Sequence, residues 1–185
     1  MAGAGWPVEV GTKSPLILRD LDLLAEASRR SGFCCIFITI TTVDGGLASI
    51  FEPSAPSPSE RLSVVKALSD GGLDVCVAMI PVFPYITDDF DSIFQVASEA
   101  RDAGAKYFMA GELTLPGEVR KRFTRLLEAH FPELLPKYES LYGASGYPPS
   151  SRLKIQEKVE EACRRLGLSW RLRPRFRVEG LEGFL

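Results

Sequence analysis

A chain of 185 residues, 45% hydrophobic and 25% charged, has the size and composition of an ordinary globular protein and can bury roughly 70% of its unfolded surface. Its formal net charge of -2 supplies no overall attraction to nucleic acid or acidic lipid. The longest apolar run, around 33–43, falls short of the roughly 20 residues of a spanning helix, and MAGAGWPVEV has no basic and apolar signal regions, so a cytoplasmic protein without membrane association is expected.

In chain order, a short strand WPVEV (6–10) leads through GTKSP to a helix over about 16–30, where Leu18, Leu21, Leu24 and Ala25 recur at helical spacing and Gly32 supplies the stop. The strand 33–42 follows. Next comes EPSAPSPSERL (52–62), with Ser57 as N-cap, Pro58 as first helical residue and Glu60 as capping-box partner of a helix reaching about Asp70. DVCVAMIPV (74–82) is a continuous apolar run, the pattern of a strand covered on both faces. A helix capped by Thr87 ends at Gly104, and the strand AKYFMAGELTL (105–115) follows. Beyond it the pattern turns helical over about 117–130, 132–142 and 151–166, before a short strand near 168–172 and a basic tail.

Strands alternating with helices imply parallel strands joined by right-handed crossovers. Neither GxGxxG nor GxxxxGK[ST] follows any strand, which argues against a nucleotide-binding sheet. Polar residues gather where strands end: Thr12 and Lys13 after the first, Thr39 and Thr41 on the second, Glu112 and Thr114 on the fourth. That is the face where barrels place chemistry. The expected fold is therefore α/β: an incomplete parallel (β/α) barrel of about four strands over 1–130, with a helical C-terminal extension over 131–185.

Period-two alternation puts Ile36, Ile38 and Ile40 toward covering helices and Phe37, Thr39 and Thr41 toward a lumen. The threonines have two readings: hydroxyls meeting a polar ligand at a barrel mouth, or good strand formers bonded to neighbouring backbone.

Three segments taken together, PVEVGTKSPLILRDLDLL (7–24), the stretch from ITITTVDGG to VCVAMIPV (38–82), and ELTLPGEV (112–119), resemble the later part of radical S-adenosylmethionine proteins of the spore photoproduct lyase-like group. The resemblance rests on TK after a strand, LRDLDLL opening a helix, a Ser/Thr-rich strand, EP.APSP..RL, and an apolar strand ending in proline. It covers about residues 7–130. It implies a partial barrel with S-adenosylmethionine across its top, and Thr12, Lys13, Thr39, Thr41, Ser57 and Arg61 as cofactor-binding residues. Lys13 and Arg61 would balance the ligand carboxylate, Ser57 and the free N–H groups of its helix would donate to it, and the threonines would bond ribose hydroxyls.

The resemblance also implies a [4Fe–4S] cluster on a CxxxCxxC loop. Cys34, Cys35, Cys76 and Cys163 do not have that spacing and read as reduced, buried thiols. A cluster would have to come from a cluster-bearing N-terminal polypeptide, and the chain alone is expected to be inactive. Three accounts remain: the C-terminal part of a longer or split enzyme, a degenerate binding or scaffold module that docks on a partner, or an incomplete reading frame. The open barrel edge would be covered by another chain, by self-association, or by MAGAGW (1–6).

Other chemistry has less support. His130, the one histidine, ends a helix. Asp88, Asp89 and Asp91 fit a helix's first turn better than a metal site. GASGY (143–147) is not a nucleophile elbow. Glu112 is a weak candidate for a substrate contact or general base. The tail over 164–180 interleaves Trp170 and Phe176 with arginines, which suits docking to a partner chain more than stacking nucleic-acid bases.

Overall fold

The computed structural model describes residues 6–148 and 154–172. Four strands, β1 (Val8–Thr12), β2 (Cys34–Thr39), β3 (Asp74–Val82) and β4 (Tyr107–Glu112), form one parallel sheet in the order β1-β2-β3-β4. Each strand lies beside its predecessor, as in a barrel wall, without the reversal of a doubly wound sheet. The register pairs Gly11 with Phe37 and Thr39 with Ala78, which aligns the C-terminal ends of the first three strands.

The helices are α1 (Leu21–Ser31), α2 (Gly45–Phe51), α3 (Pro58–Asp70), α4 (Phe90–Asp102), α5 (Glu118–His130), α6 (Leu135–Tyr142) and α7 (Ile155–Leu166), with 3-10 turns at Pro15–Asp20 and Pro132–Leu134. The isoleucine stripe behaves as its alternation predicts. Ile36 and Ile38 join Val75, Val77, Met79 and Phe108 in one core that also takes in Val65 and Leu68 of α3 and Ile93 and Ala97 of α4. Burying each such aliphatic side chain contributes roughly 1.5–3 kcal/mol. The opposite face carries a smaller cluster of Phe33, Cys35, Cys76 and Tyr107, with Phe37 and Met109 against it. The helical C-terminal region extends the main core through Tyr138, Leu141, Tyr142, Ile155, Val159 and Cys163, and α7 packs on α4 and β4.

Several expectations are corrected. The first strand begins two residues later than its pattern suggests, so Thr12 closes it rather than following it. The helix expected over 16–30 is two pieces, because Ser14 accepts a hydrogen bond from Leu16 N–H and Pro15 starts a 3-10 turn before α1. The sequence reading lacks α2, whose first turn contains Gly45 and Gly46; Asp44 caps it by accepting from the N–H groups of Gly46 and Leu47. Asp89 caps α4, while Thr87 Oγ1 accepts from Phe83 N–H. The strand near 168–172 reduces to one bridge between Ser169 and Tyr107. The expectations for MAGAGW before Trp6, for 151–153, and for the tail beyond Leu172 lie outside the described residues. Among the described residues no helix is long and apolar enough to cross a membrane.

Candidate functional site

The C-terminal ends of β1 and β2 meet the start of α3 around one carboxylate, that of Glu52. At the end of β1, Thr12 Oγ1 accepts from Ser14 N–H at 2.9 Å. Between these two residues, Lys13 places its ammonium 2.5 Å from Glu52 Oε1. Beyond β2 the chain passes Thr41, whose hydroxyl donates to Glu52 Oε2 at 3.2 Å, and then enters α2. Glu52 follows α2 directly, with its N–H bonded to Ala48 carbonyl, so the last turn of that helix fixes where its side chain starts.

The third approach is from α3. Ser57 and Glu60 form the full capping box the sequence predicts: Ser57 Oγ accepts from Glu60 N–H, and Glu60 Oε2 accepts from Ser57 N–H at 2.8 Å. With the helix start fixed, Arg61 in its first turn points inward. Its side chain is only 1% exposed. Nε donates to Pro56 carbonyl at 2.8 Å; Nη1 donates to Thr39 carbonyl at 3.0 Å and to Glu52 Oε2 at 2.7 Å. Nη2 is buried without a partner.

Removing a guanidinium and a carboxylate from water costs several kcal/mol per ion, and only close pairing with further hydrogen bonds offsets it. Here two cations share one carboxylate, leaving one positive charge in excess. Burial by itself would raise the Glu52 pKa, but the hydrogen bonds and charges of Lys13 and Arg61 outweigh it and hold the carboxyl below its ordinary value of 4.5. The Lys13 side chain is 41% exposed against 9% for Glu52, so the lysine is the part of the cluster that solvent reaches.

The six residues expected at a cofactor site thus divide. Lys13, Thr41 and Arg61 converge on Glu52, and Thr39 contributes its carbonyl while its half-buried side chain shares the sheet face of Phe37. Thr12 organises the turn that carries Lys13. Ser57 stays outside the cluster: its exposed hydroxyl is taken up with Glu60 and Ser59. Glu112 lies elsewhere, at the end of β4, lining a cavity of about 470 Å³ with Lys154 and Glu157 at the start of α7. Glu52, the hub, is the residue that sequence reasoning missed. The available signal was its place in EP.APSP..RL, nine residues before the arginine it pairs with.

All four cysteines are free and buried. Burial pushes the Cys35 thiol up to about 12 and Cys163 up to about 11, with Cys76 higher still. Among the described residues no three His, Cys, Asp or Glu side chains gather as metal ligands.

The parallel α/β barrel wall that carries this cluster has counterparts among known proteins. No protein-family model matches the chain. An uncharacterized protein of Mycobacterium tuberculosis is 32% identical over 175 residues, which is 94% of this chain and 51% of that protein. The chain spans about half the length of such curated relatives. Among solved structures, a spore photoproduct lyase double mutant with bound AdoMet and dinucleoside spore photoproduct superimposes with a TM-score of 0.60 at 15% identity, over 86% of this chain and 48% of that one. A spore photoproduct lyase complexed with dinucleoside spore photoproduct gives 0.56 at 14% identity, over the same shares. Over 86% of its length the chain therefore has an α/β fold resembling about half of the spore photoproduct lyase chain.

Proposed function

We propose that this chain is the S-adenosylmethionine-binding, C-terminal part of a radical S-adenosylmethionine protein of the spore photoproduct lyase-like group. One observation carries the reading: two cations share a single carboxylate at the strand tips of a barrel wall whose fold matches a lyase solved with AdoMet. An excess positive charge with an exposed ammonium suits a ligand carboxylate.

The residues present fit S-adenosylmethionine in this way. Lys13 donates one N–H to Glu52 and keeps two for the ligand carboxylate. The hydroxyl of Thr39, and that of Thr12, whose oxygen accepts from Ser14 but whose proton remains available, serve the ribose. When bound, the cofactor supplies an activated sulfonium. Arg61 is too deeply buried to touch it and contributes charge from beneath, and Thr41 holds Glu52. The [4Fe–4S] cluster does not fit these residues: the thiols are buried in apolar surroundings with their pKa values raised, among the described residues no three gather as metal ligands, and a cluster needs converging thiolates. A cluster-bearing polypeptide would provide it.

Calorimetry with S-adenosylmethionine tests the reading. Saturable binding is expected, weakened about tenfold by Lys13→Met, the scale of one lost charge-assisted hydrogen bond, and unchanged by Ser57→Ala. Decarboxylated S-adenosylmethionine is expected to be insensitive to Lys13→Met. No saturable binding, with or without a cluster-bearing partner, would end the proposal.

A second reading, a docking module, draws on a different observation. β1 is an edge of the sheet, and Trp6, Leu16 and Leu23 are 51%, 71% and 59% exposed. Under that reading the edge receives a partner chain or a second copy, and sedimentation velocity at rising concentration reports self-association.

A further inference from the structure

We propose that Glu52 is a positioning residue: it fixes the Lys13 ammonium for its ligand, and the buried Arg61 acts on that ammonium only through Glu52. The identity of the ligand rests on the S-adenosylmethionine reading; the claim about Lys13 does not.

The two carboxylate oxygens are divided between the two cations. Oε1 faces Lys13 at 2.5 Å, while Oε2 takes Arg61 Nη1 at 2.7 Å and the Thr41 hydroxyl at 3.2 Å. Arg61 is anchored independently of Lys13 by the carbonyls of Pro56 and Thr39. Those bonds make it a fixed point, so the carboxylate is held on its Oε2 side and presents Oε1 at one place. A lysine side chain left free retains much rotamer entropy. Pinning one N–H by Glu52 leaves the other two donors directed away from the cluster, with 41% of the side chain open to solvent. Charge then alternates outward: guanidinium, carboxylate, ammonium, and finally the anionic group of the ligand.

A rival account makes Glu52 merely a neutralising charge, and the two differ in sign. If Glu52 only neutralises, replacing it with glutamine leaves two unbalanced cations and an anionic ligand binds more tightly. If it positions Lys13, the same change frees the lysine and binding weakens.

The experiment follows the Lys13 ammonium directly by ¹⁵N NMR of the intact chain, assigned with Lys13→Arg, alongside calorimetry with S-adenosylmethionine and its decarboxylated form. A slowly exchanging Lys13 signal is expected in the wild-type chain. It should be lost in Glu52→Gln and displaced in Arg61→Met, although Arg61 does not touch Lys13. Glu52→Gln should weaken S-adenosylmethionine about tenfold and leave the decarboxylated form unchanged. Thr41→Val keeps every charge and loosens only Oε2; a displaced Lys13 signal is expected there too, and this variant serves if Glu52→Gln does not fold. An unchanged Lys13 signal in Glu52→Gln or Thr41→Val, or equal or tighter binding of S-adenosylmethionine by Glu52→Gln, overturns the proposal. A Glu52-dependent Lys13 signal in a wild-type chain that binds no S-adenosylmethionine removes the cofactor reading and supports the positioning claim.

Discussion

The strand tips are closed in two ways. At the β1–β2 corner the closure is ionic: Lys13, Glu52 and Arg61, with Thr41 bonding to the carboxylate. At the β3–β4 corner it is aromatic. Tyr138 donates its hydroxyl to Pro84 carbonyl at 2.8 Å, Tyr142 donates to Leu113 carbonyl at 2.9 Å, and Phe51, Phe83 and Phe123 stack near by. Burial raises both tyrosine pKa values well above the ordinary 10, so these hydroxyls stay protonated donors. Both corners satisfy backbone carbonyls, partly buried at the ionic corner and buried at the aromatic one. The aromatic one does so with neutral hydroxyl donors and ring packing in place of an ion pair. The buried charges at the other corner are the feature on which the proposed ligand reading rests.

The largest expected effect breaks the ionic corner. Arg61→Ala removes a buried side chain, leaves Glu52 with Lys13 and Thr41 alone and unpairs the Thr39 and Pro56 carbonyls from it, and should cost about 3–5 kcal/mol of stability in urea unfolding. The double variant Arg61→Ala with Glu52→Gln removes both charges and should cost less than the sum of the two single changes, so the cycle reports coupling. At the aromatic corner, Tyr142→Phe leaves the Leu113 carbonyl unpaired and should cost about 1–3 kcal/mol, with no change at Lys13. Outside both corners, Ser57→Ala removes half of the capping box, should cost about 1 kcal/mol, and should leave ligand binding intact.

Acid sharpens the contrast between the corners. The Glu52 pKa is lowered on folding, so its contribution is fully present above its ordinary value of 4.5 and is lost as pH falls through the lower folded value. Stability measured below pH 4.5 should fall less steeply in Glu52→Gln than in the wild type. Tyr142→Phe should leave that acid limb unchanged, because the phenol does not titrate there.

What could be read from the sequence was what depends on near neighbours or on a simple period. The capping box spans Ser57 to Glu60, and the isoleucine stripe follows from alternation; both stand in the structure as expected. The parallel strand order follows from helices between strands. Glu52 was not legible because its meaning lies in its partners: Lys13 comes from another strand tip and Arg61 from the next helix. A carboxylate before Pro53 reads equally well as loop. Arg61 was named through the resemblance carried by EP.APSP..RL, but its depth depends on the inward turn of α3 and on the Thr39 carbonyl, and no local pattern reports either. Likewise α2 hides behind two glycines that sequence rules assign to turns.

The unreversed strand order has a consequence for growth of the molecule. Because the strands follow one another in chain order, β1 has a single described neighbour, and a further parallel strand could pair along its outer rim without changing the registers of the other three.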